Sequence, residues 1–531
     1  MTAKLKSLVF GALLLSTLNP QLSTSVAAAA ALRTWDGGGA NNFWATAANW
    51  AGDVAPSAGD DLLFPSGAAR LSNSNNLPSG TAFNSLTFSA GGYTLRGETI
   101  SLASGVTNLS GVNSVYLPLL LSASQTFSSA NYLQFLAGIE LAGYTLSLDT
   151  PAELILSGPV TGAGAILKTG SGGGSVFGNS SFVGSVQVLQ GSLIVGHSNA
   201  LGLAASGTAV APGATILLSG AVTVGEPLAL AGTLINSSSG TSAWSGPITI
   251  TNAAKIQTSG AYPLTLSGII SGSGSLSKTT FGTLRLTANN SYTGPTTNLG
   301  GTLIVNGNQP SSDIYTAGTF GGTGTVGSFF PFASGVSLLP GEPPPGRLTT
   351  GNLTLNSGTA FGAFLFSLAP ATGYTQLRVL GTVNLVGSPL LGRSLGFLPA
   401  LADSFLIIDN DDVDPVIGTF GQLPEGALLG ADGLAFRISY QGGTGNDVVL
   451  TRVKAPPLRL ASITPLANGT LQLQATGVLD SVYYQIETAT NLIPPIQWSN
   501  IGGKYPNGGV FTFTDTDAPL FPARYYRAIS P

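Results

Sequence analysis

The densest run of chemistry-bearing side chains is acidic: Asp403, followed by Asp409-Asn410-Asp411-Asp412-Val413-Asp414. Carboxylates at alternate positions are how a calcium loop offers oxygen ligands to a hard cation. Here Val413 stands where the third ligand belongs, and Phe420 occupies the twelfth position, where a bidentate Glu closes such a loop. A second run, Gly442-Gly443-Thr444-Gly445-Asn446-Asp447-Val448-Val449-Leu450, matches the G-G-x-G-x-D-x-U-x nonapeptide of calcium-binding β-rolls. Each ion in a roll is shared by successive turns, and this chain has one copy. The preferred reading is a glycine turn leading into a final apolar strand. His197 is the chain's one histidine and stands without an acid near it in sequence, which favours a hydrogen-bonding corner residue over a general base. From 140 to 401 the acids are Glu140, Asp149, Glu153, Glu226, Asp313 and Glu342, too scattered to form the stacked carboxylates of a polysaccharide lyase or hydrolase. No catalytic, cofactor-binding or metal residue is assigned, and no cofactor is expected.

The rest of the inventory narrows the classes further. Zero Cys excludes disulfides and thiolate metal sites. A net charge of −4 over 531 residues leaves no basic footprint for nucleic acid and no polybasic membrane patch. Charged residues make up 8% of the chain, against about 25% in an ordinary globular domain, while 43% are hydrophobic and 73 are Gly. That much apolar side chain argues against disorder. It suits a parallel solenoid, with Leu, Ile and Val stacked inside and Gly, Ser, Thr and Asn at corners.

Those elements are visible as an internal repeat. Residues 162–196 and 272–306 align without a gap at an offset of 110, with thirteen of thirty-five positions identical. A fixed-period repeat of this kind buries its apolar face by stacking on neighbours. The shared glycines (162/272, 164/274, 184/294, 191/301) read as corners, and Leu193-Ile194-Val195, repeated as Leu303-Ile304-Val305, reads as a buried strand. If a turn takes roughly 22 residues, the offset is five turns, and the whole is some nineteen coils, a rod on the order of 90 Å. The expected fold is all-β, a right-handed parallel β-helix followed by a small antiparallel β-sandwich. Asp at Val195 or Val305 is expected to face the interior and destabilise.

The pattern filled by residues 272–307, G-x-G-x-L-x-K-x-x-x-G-T-L-x-L-x-x-x-N-x-Y-T-G-x-T-x-x-x-x-G-T-L-x-V-N-G, resembles the autotransporter-associated β-strand repeat. The first copy is degraded: Gly173 and Gly174 replace the Thr-Leu pair, and Phe182 stands for Tyr292. Residues 33–64, 318–359 and 438–451 are similar to the N-terminal, later and closing segments of such passengers. The resemblance implies a secreted passenger, with export and stable extracellular folding as the repeat's role. It names architecture rather than activity.

The N-terminal segment reads as an address. Lys4 and Lys6 precede an apolar core at 8–15, and the alanine-rich stretch at 25–31 offers several A-x-A cleavage registers, so the mature N-terminus is expected between Ala28 and Thr34. The expected organisation is a signal peptide at 1–31, a Trp-rich cap (Trp35, Trp44, Trp50) with first coils at 32–150, and the repeat-bearing helix at 151–453. A flexible linker at 454–457 and a fibronectin type III-like sandwich at 458–531 complete it. The Pro-rich stretch at 339–346 is expected to loop out, and Trp498 and Tyr525 to lie in the sandwich core. No transmembrane helix is expected, and no barrel follows the passenger within this sequence. Together these features predict an extracellular or cell-surface structural, adhesin-like protein without catalysis, contacting surface glycans or other cell-envelope components through 458–531. The alternatives are a carbohydrate-active enzyme on the helix or a glycan-binding module at the C-terminus. Oligomeric state is left open.

Overall fold

The computed structural model describes residues 30–203, 207–237, 240–341, 345–365, 373–394 and 397–530. The expected signal peptide therefore lies almost wholly outside the described residues. From Leu32 onward short strands stack in parallel, coil upon coil. The longest ladder among the described residues is a 16-stranded sheet running from Ser72–Asn75 to Val383–Asn384. Sixteen strands at about 4.8 Å make a rod of roughly 70 Å, shorter than the nineteen coils expected from sequence.

Alternation in short strands is what builds the interior. One column runs Leu62, Leu86, Val106, Phe127, Leu148, Lys168, Val188, Val210, each residue directly over the last. All of them are at most 2% exposed, Lys168 included. Val195 lies between Val176 and Leu218 in a neighbouring column, and Val305 sits on Leu286, so both are interior as expected. Burying each such side chain contributes on the order of 1.5–3 kcal/mol, repeated coil after coil.

The repeat does not return to its own face. Ile166 stacks successively under Val186, Thr208, Leu228, Ile248 and Ile270, so five coils take 104 residues. An offset of 110 overshoots that by a corner. The first copy's Gly164–Lys168 belongs to one sheet, while its counterpart Leu276–Lys278 belongs to the next. Between the two copies, coils vary from 18 to 23 residues, as the steps Thr215 to Thr233 and Ser192 to Thr215 show, because corner loops differ in length.

The interior lysines are the repeat's shared cations. Lys168 Nζ donates to the carbonyl of Gly170, at its own corner, and to that of Gln190, one coil on, at 3.5 Å. Lys278 Nζ donates likewise to the carbonyls of Thr280 and Gly300. Each ammonium thus ties two successive corners together. Where the first copy buries Phe182 beside Val186, the second buries Tyr292, whose hydroxyl meets Thr296 Oγ1 at 2.5 Å and accepts from Gln309 Nε2 at 3.0 Å. Phe/Val has become Tyr/Thr, and the two buried hydroxyls join a network that also takes in Gln309 and Ser312, so that each has a partner.

Both ends of the rod are closed. Trp35, Trp44 and Trp50 are fully buried and meet edge to face, Trp35–Trp50 at 5.2 Å and Trp44–Trp50 at 6.1 Å. Their indole N–H groups reach Arg70 O, Asn73 Oδ1 and Trp44 O. This plug covers an edge that would otherwise template foreign strands. At the other end the parallel pattern stops: Ser404–Asn410, Asp447–Val453, Leu434–Gly442 and Leu428–Ala431 pair antiparallel. The helix expected through residue 453 therefore ends in a hairpin cap.

Three further expectations need correction. Leu339 and Pro340 are the last rungs of strand Val336–Pro340, opposite Gly321 and Gly322, so the first part of the expected loop is ladder, while 342–344 lie outside the described residues. Proline's missing N–H is tolerated because it stands at the strand's end. The linker is not free: Ala455 is 2% exposed and joins one apolar cluster with Ala435 of the cap and Leu458, Leu473 and Tyr484 beyond it. Finally, Tyr525 is 42% exposed, and Trp498 is half-buried under Arg527, whose guanidinium carbon lies 4.4 Å from the ring centroid. Neither is a core residue. The C-terminal core is built instead on Tyr484, Ile486, Leu473 and Phe511, between two three-stranded antiparallel sheets.

Candidate functional site

The two glycine- and aspartate-rich runs, far apart in sequence, fold against one another. Asp447 is 1% exposed; its Oδ1 accepts from Asn410 N at 2.9 Å and its Oδ2 from Thr444 N and Oγ1 at 2.7 and 2.9 Å. Asn446 Nδ2 donates to Asp411 O and Asp414 O, both at 3.0 Å, and Asn410 Nδ2 donates to Asp414 O at 2.7 Å. The carboxylate of one motif and the amides of both thus brace the turn that carries the other. Gly443, at φ +54°, is required: a Cβ there would lie 2.1 Å from Asp447 Oδ2. Asp409 Oδ2 is taken by Arg347 Nη2 at 2.6 Å, with Arg378 Nε at 4.0 Å. The Asp411 carboxyl is pushed up from its ordinary value, by desolvation first and by Asp412 and Asp414 next, against the pull of Arg378. Among the described residues no group of three or more His, Cys, Asp or Glu is placed to hold a metal ion.

His197 is half-buried at a coil corner, where its Nδ1 accepts from Asn199 N at 3.1 Å and its carbonyl accepts from Ala200 N at 3.0 Å. Glu226 is the carboxyl that sequence reasoning passed over as one of six scattered acids. It is 4% exposed, accepts from Thr208 Oγ1 at 2.8 Å, and titrates near pH 7 because burial disfavours its charge. Its only sequence signal is the Gly225-Glu226-Pro227 corner, where the next coil has Ser245-Gly246-Pro247.

A concave polar surface lies where the sandwich meets the hairpin cap. Gly433 N donates to Ser481 O at 2.8 Å, and Tyr483 N donates to Gly433 O at 3.3 Å. Beside this seam is a cleft of about 390 Å³ lined by Gly392, Asp432, Asp480, Ser481, Tyr505 and Asn507 among others. Tyr505 is 55% exposed and meets Tyr483 edge-on, ring centroids 5.2 Å apart. Asp480 Oδ1 accepts from Gly509 N at 2.9 Å. Asp432 and Ser481 both hold left-handed backbone, φ +46° and +61°, a conformation that persists only where surroundings enforce it.

No family model matches the chain. Over 82 residues it is 44% identical to the adhesin BmaC autotransporter of Brucella suis biovar 1 (strain 1330), a match covering 15% of this chain and 2% of that protein. The chain therefore spans only about 2% of the length of the curated relative it matches. Among solved structures, the Haemophilus influenzae Hap adhesin aligns with 74% of this chain and 64% of its own at 11% identity, with a TM-score of 0.27. The chain is an all-β, parallel β-solenoid, an 82-residue stretch of which is similar to an adhesin autotransporter.

Proposed function

We propose that this protein is a surface-displayed, non-catalytic adhesive scaffold, in which the solenoid holds the C-terminal sandwich outward as the contact module. The observation that carries this reading is where the chemistry-bearing groups are spent. Asp447 braces a turn, Asp409 pairs with Arg347, His197 caps a corner and Glu226 faces the interior. Each is engaged in holding the rod together rather than converging on a reacting atom. The local identity to an adhesin supports the same reading. The test is to compare cell-associated and released fractions of the full chain and of a chain lacking residues 458–531, with circular dichroism to check that the solenoid persists. Equal partitioning would sink the contact role. Polysaccharide turnover that disappears on replacing Asp409, Asp411 and Asp412 with Ala would restore the carbohydrate-active alternative.

The cleft at the seam favours a glycan as the contact. A phenol face beside Asp480 and Asn507 suits a neutral, hydroxyl-rich ring, which stacks on aromatic carbon and donates to carboxylates. Its two carboxylates disfavour uronic or sialic acids. On a glycan array, Tyr505→Ala should abolish whatever neutral glycan signal the full chain gives; a signal that survives places the contact elsewhere.

A further inference from the structure

We propose that the exported chain is cut between Ala30 and Ala31, and that the α-ammonium released on Ala31 binds the buried carboxylate of Asp60, so that processing itself completes the end cap of the solenoid. The proposal rests on the export reading of the N-terminal segment, and the two fail separately, as set out below.

Ala31 is the first residue the fold uses. Its carbonyl accepts from Asp61 N at 2.9 Å, the opening rung of the parallel ladder, which strand Leu32–Thr34 continues against Asp61, Leu62 and Leu63. Its own N lies 3.2 Å from Asp60 Oδ1. Ala30, one residue earlier, is exposed. A cut after Ala31 removes that first rung. A cut before Ala30 leaves a residue with no place in the cap and keeps a neutral amide against Asp60. Small residues at both positions that a signal peptidase reads are present in several registers, because residues 27–31 are all Ala. The structure selects among them: a cut preceded by Ala28 and Ala30 as the two small residues puts the new terminus on the carboxylate.

Asp60 is built to receive a cation. It is 4% exposed, and its Oδ2 accepts from Arg33 Nε at 2.8 Å and from Ser57 N at 3.0 Å. Its Oδ1 faces Ala31 alone among the hydrogen bonds it receives. An amide offers that oxygen one N–H; an ammonium offers three with a full charge, and charge-assisted bonds are about twice as strong as neutral ones. The reaction is hydrolysis: water adds across the Ala30–Ala31 amide, the carboxylate departs on Ala30, and the amine stays protonated on Ala31. The peptidase of the export route supplies the catalyst. Strand Leu32–Thr34 runs directly into Trp35 of the tryptophan plug, so what anchors Ala31 anchors the covered end of the rod.

The experiment begins with N-terminal sequencing and intact mass of secreted material. Ala31 as first residue is the expected result. Material beginning at Met1 would defeat the export reading, whereas a cut at any other alanine would defeat this proposal and leave export standing. The mature chain is then prepared scarlessly from Ala31, from Ala30, and from Ala31 with its amine acetylated. The free Ala31 terminus should melt roughly 1–2 °C above the other two, and Asp60→Asn should erase the difference. Equal melting of all three chains would mean that Asp60 needs only an amide donor. Should Asp60→Asn fail to fold, the free and acetylated termini still decide the matter.

Discussion

Glu226→Gln should make the protein less sensitive to pH, in one direction only. The carboxyl titrates near pH 7 when folded and at the ordinary 4.5 when unfolded, because burial disfavours its charge. The folded state therefore holds the proton more tightly. Its contribution is fully present below pH 4.5 and is lost as pH rises through 7. At about 1.36 kcal/mol for each tenfold change in proton affinity, the loss is about 2 kcal/mol by pH 6 and about 3 kcal/mol by pH 8. Glutamine keeps an acceptor for Thr208 Oγ1 and carries no charge at any of these values. The assay is urea unfolding of wild type and Glu226→Gln at pH 4.5, 6 and 8, using the difference between the two so that all other carboxylates cancel. The variant should match wild type at pH 4.5 and exceed it by about 3 kcal/mol at pH 8. A difference that stays flat across the three values would mean that Glu226 is solvated in the folded protein, and the reasoning would fail.

Other outcomes follow from the interior columns. Val195→Asp or Val305→Asp places an unpaired carboxylate among fully buried side chains and should cost about 3 kcal/mol or more; an unmoved unfolding midpoint would put those positions at the surface. Lys278, held down to about 8 by burial, should act opposite to Glu226: wild-type stability relative to Lys278→Met should increase as pH rises from 8 to 10.5, and a decrease would contradict the burial assigned to it. Tyr292→Phe should cost about 1 kcal/mol, since Thr296 Oγ1 keeps Ser312 Oγ at 2.8 Å and Gln309 Nε2 keeps Thr296 Oγ1 at 3.4 Å, whereas adding Thr296→Val takes the last of these partners from Gln309 Nε2 and should cost a further ~1–3 kcal/mol; equal denaturation midpoints for the single and double variants would break the network.

Much of the architecture is local, and local chemistry is legible in order of residues. Runs such as Leu193-Ile194-Val195 between glycines specify a strand whose alternate side chains go inward, whatever lies around it. The tryptophans at 35, 44 and 50 likewise declare a buried cluster, because nothing smaller fills the end of a coil. What sequence leaves undetermined is the sum of small local differences. A repeat encodes strand and corner but not the face they occupy, since that depends on the accumulated length of every corner between copies. Hence the second copy is turned by one sheet although each of its strands was identifiable. Lysines 168 and 278 stand at inward positions, yet only the folded corners supply the carbonyls that make an interior ammonium tolerable. Asp447 and Asn410 lie 37 residues apart, in two separate runs that each resemble a calcium motif in sequence, and only the hairpin brings them together as one braced turn. The same holds at the C-terminus, where Trp498 and Tyr525 have the composition of a core, but adjoining strands leave them at the surface and give the interior to Tyr484 and Phe511. Periodicity and residue type therefore determine that this chain is a parallel β-solenoid with a sandwich behind it. Which polar groups are enclosed, which are spent on turns and where a cleft opens are decided only by tertiary structure, because those depend on partners that sequence order does not make adjacent.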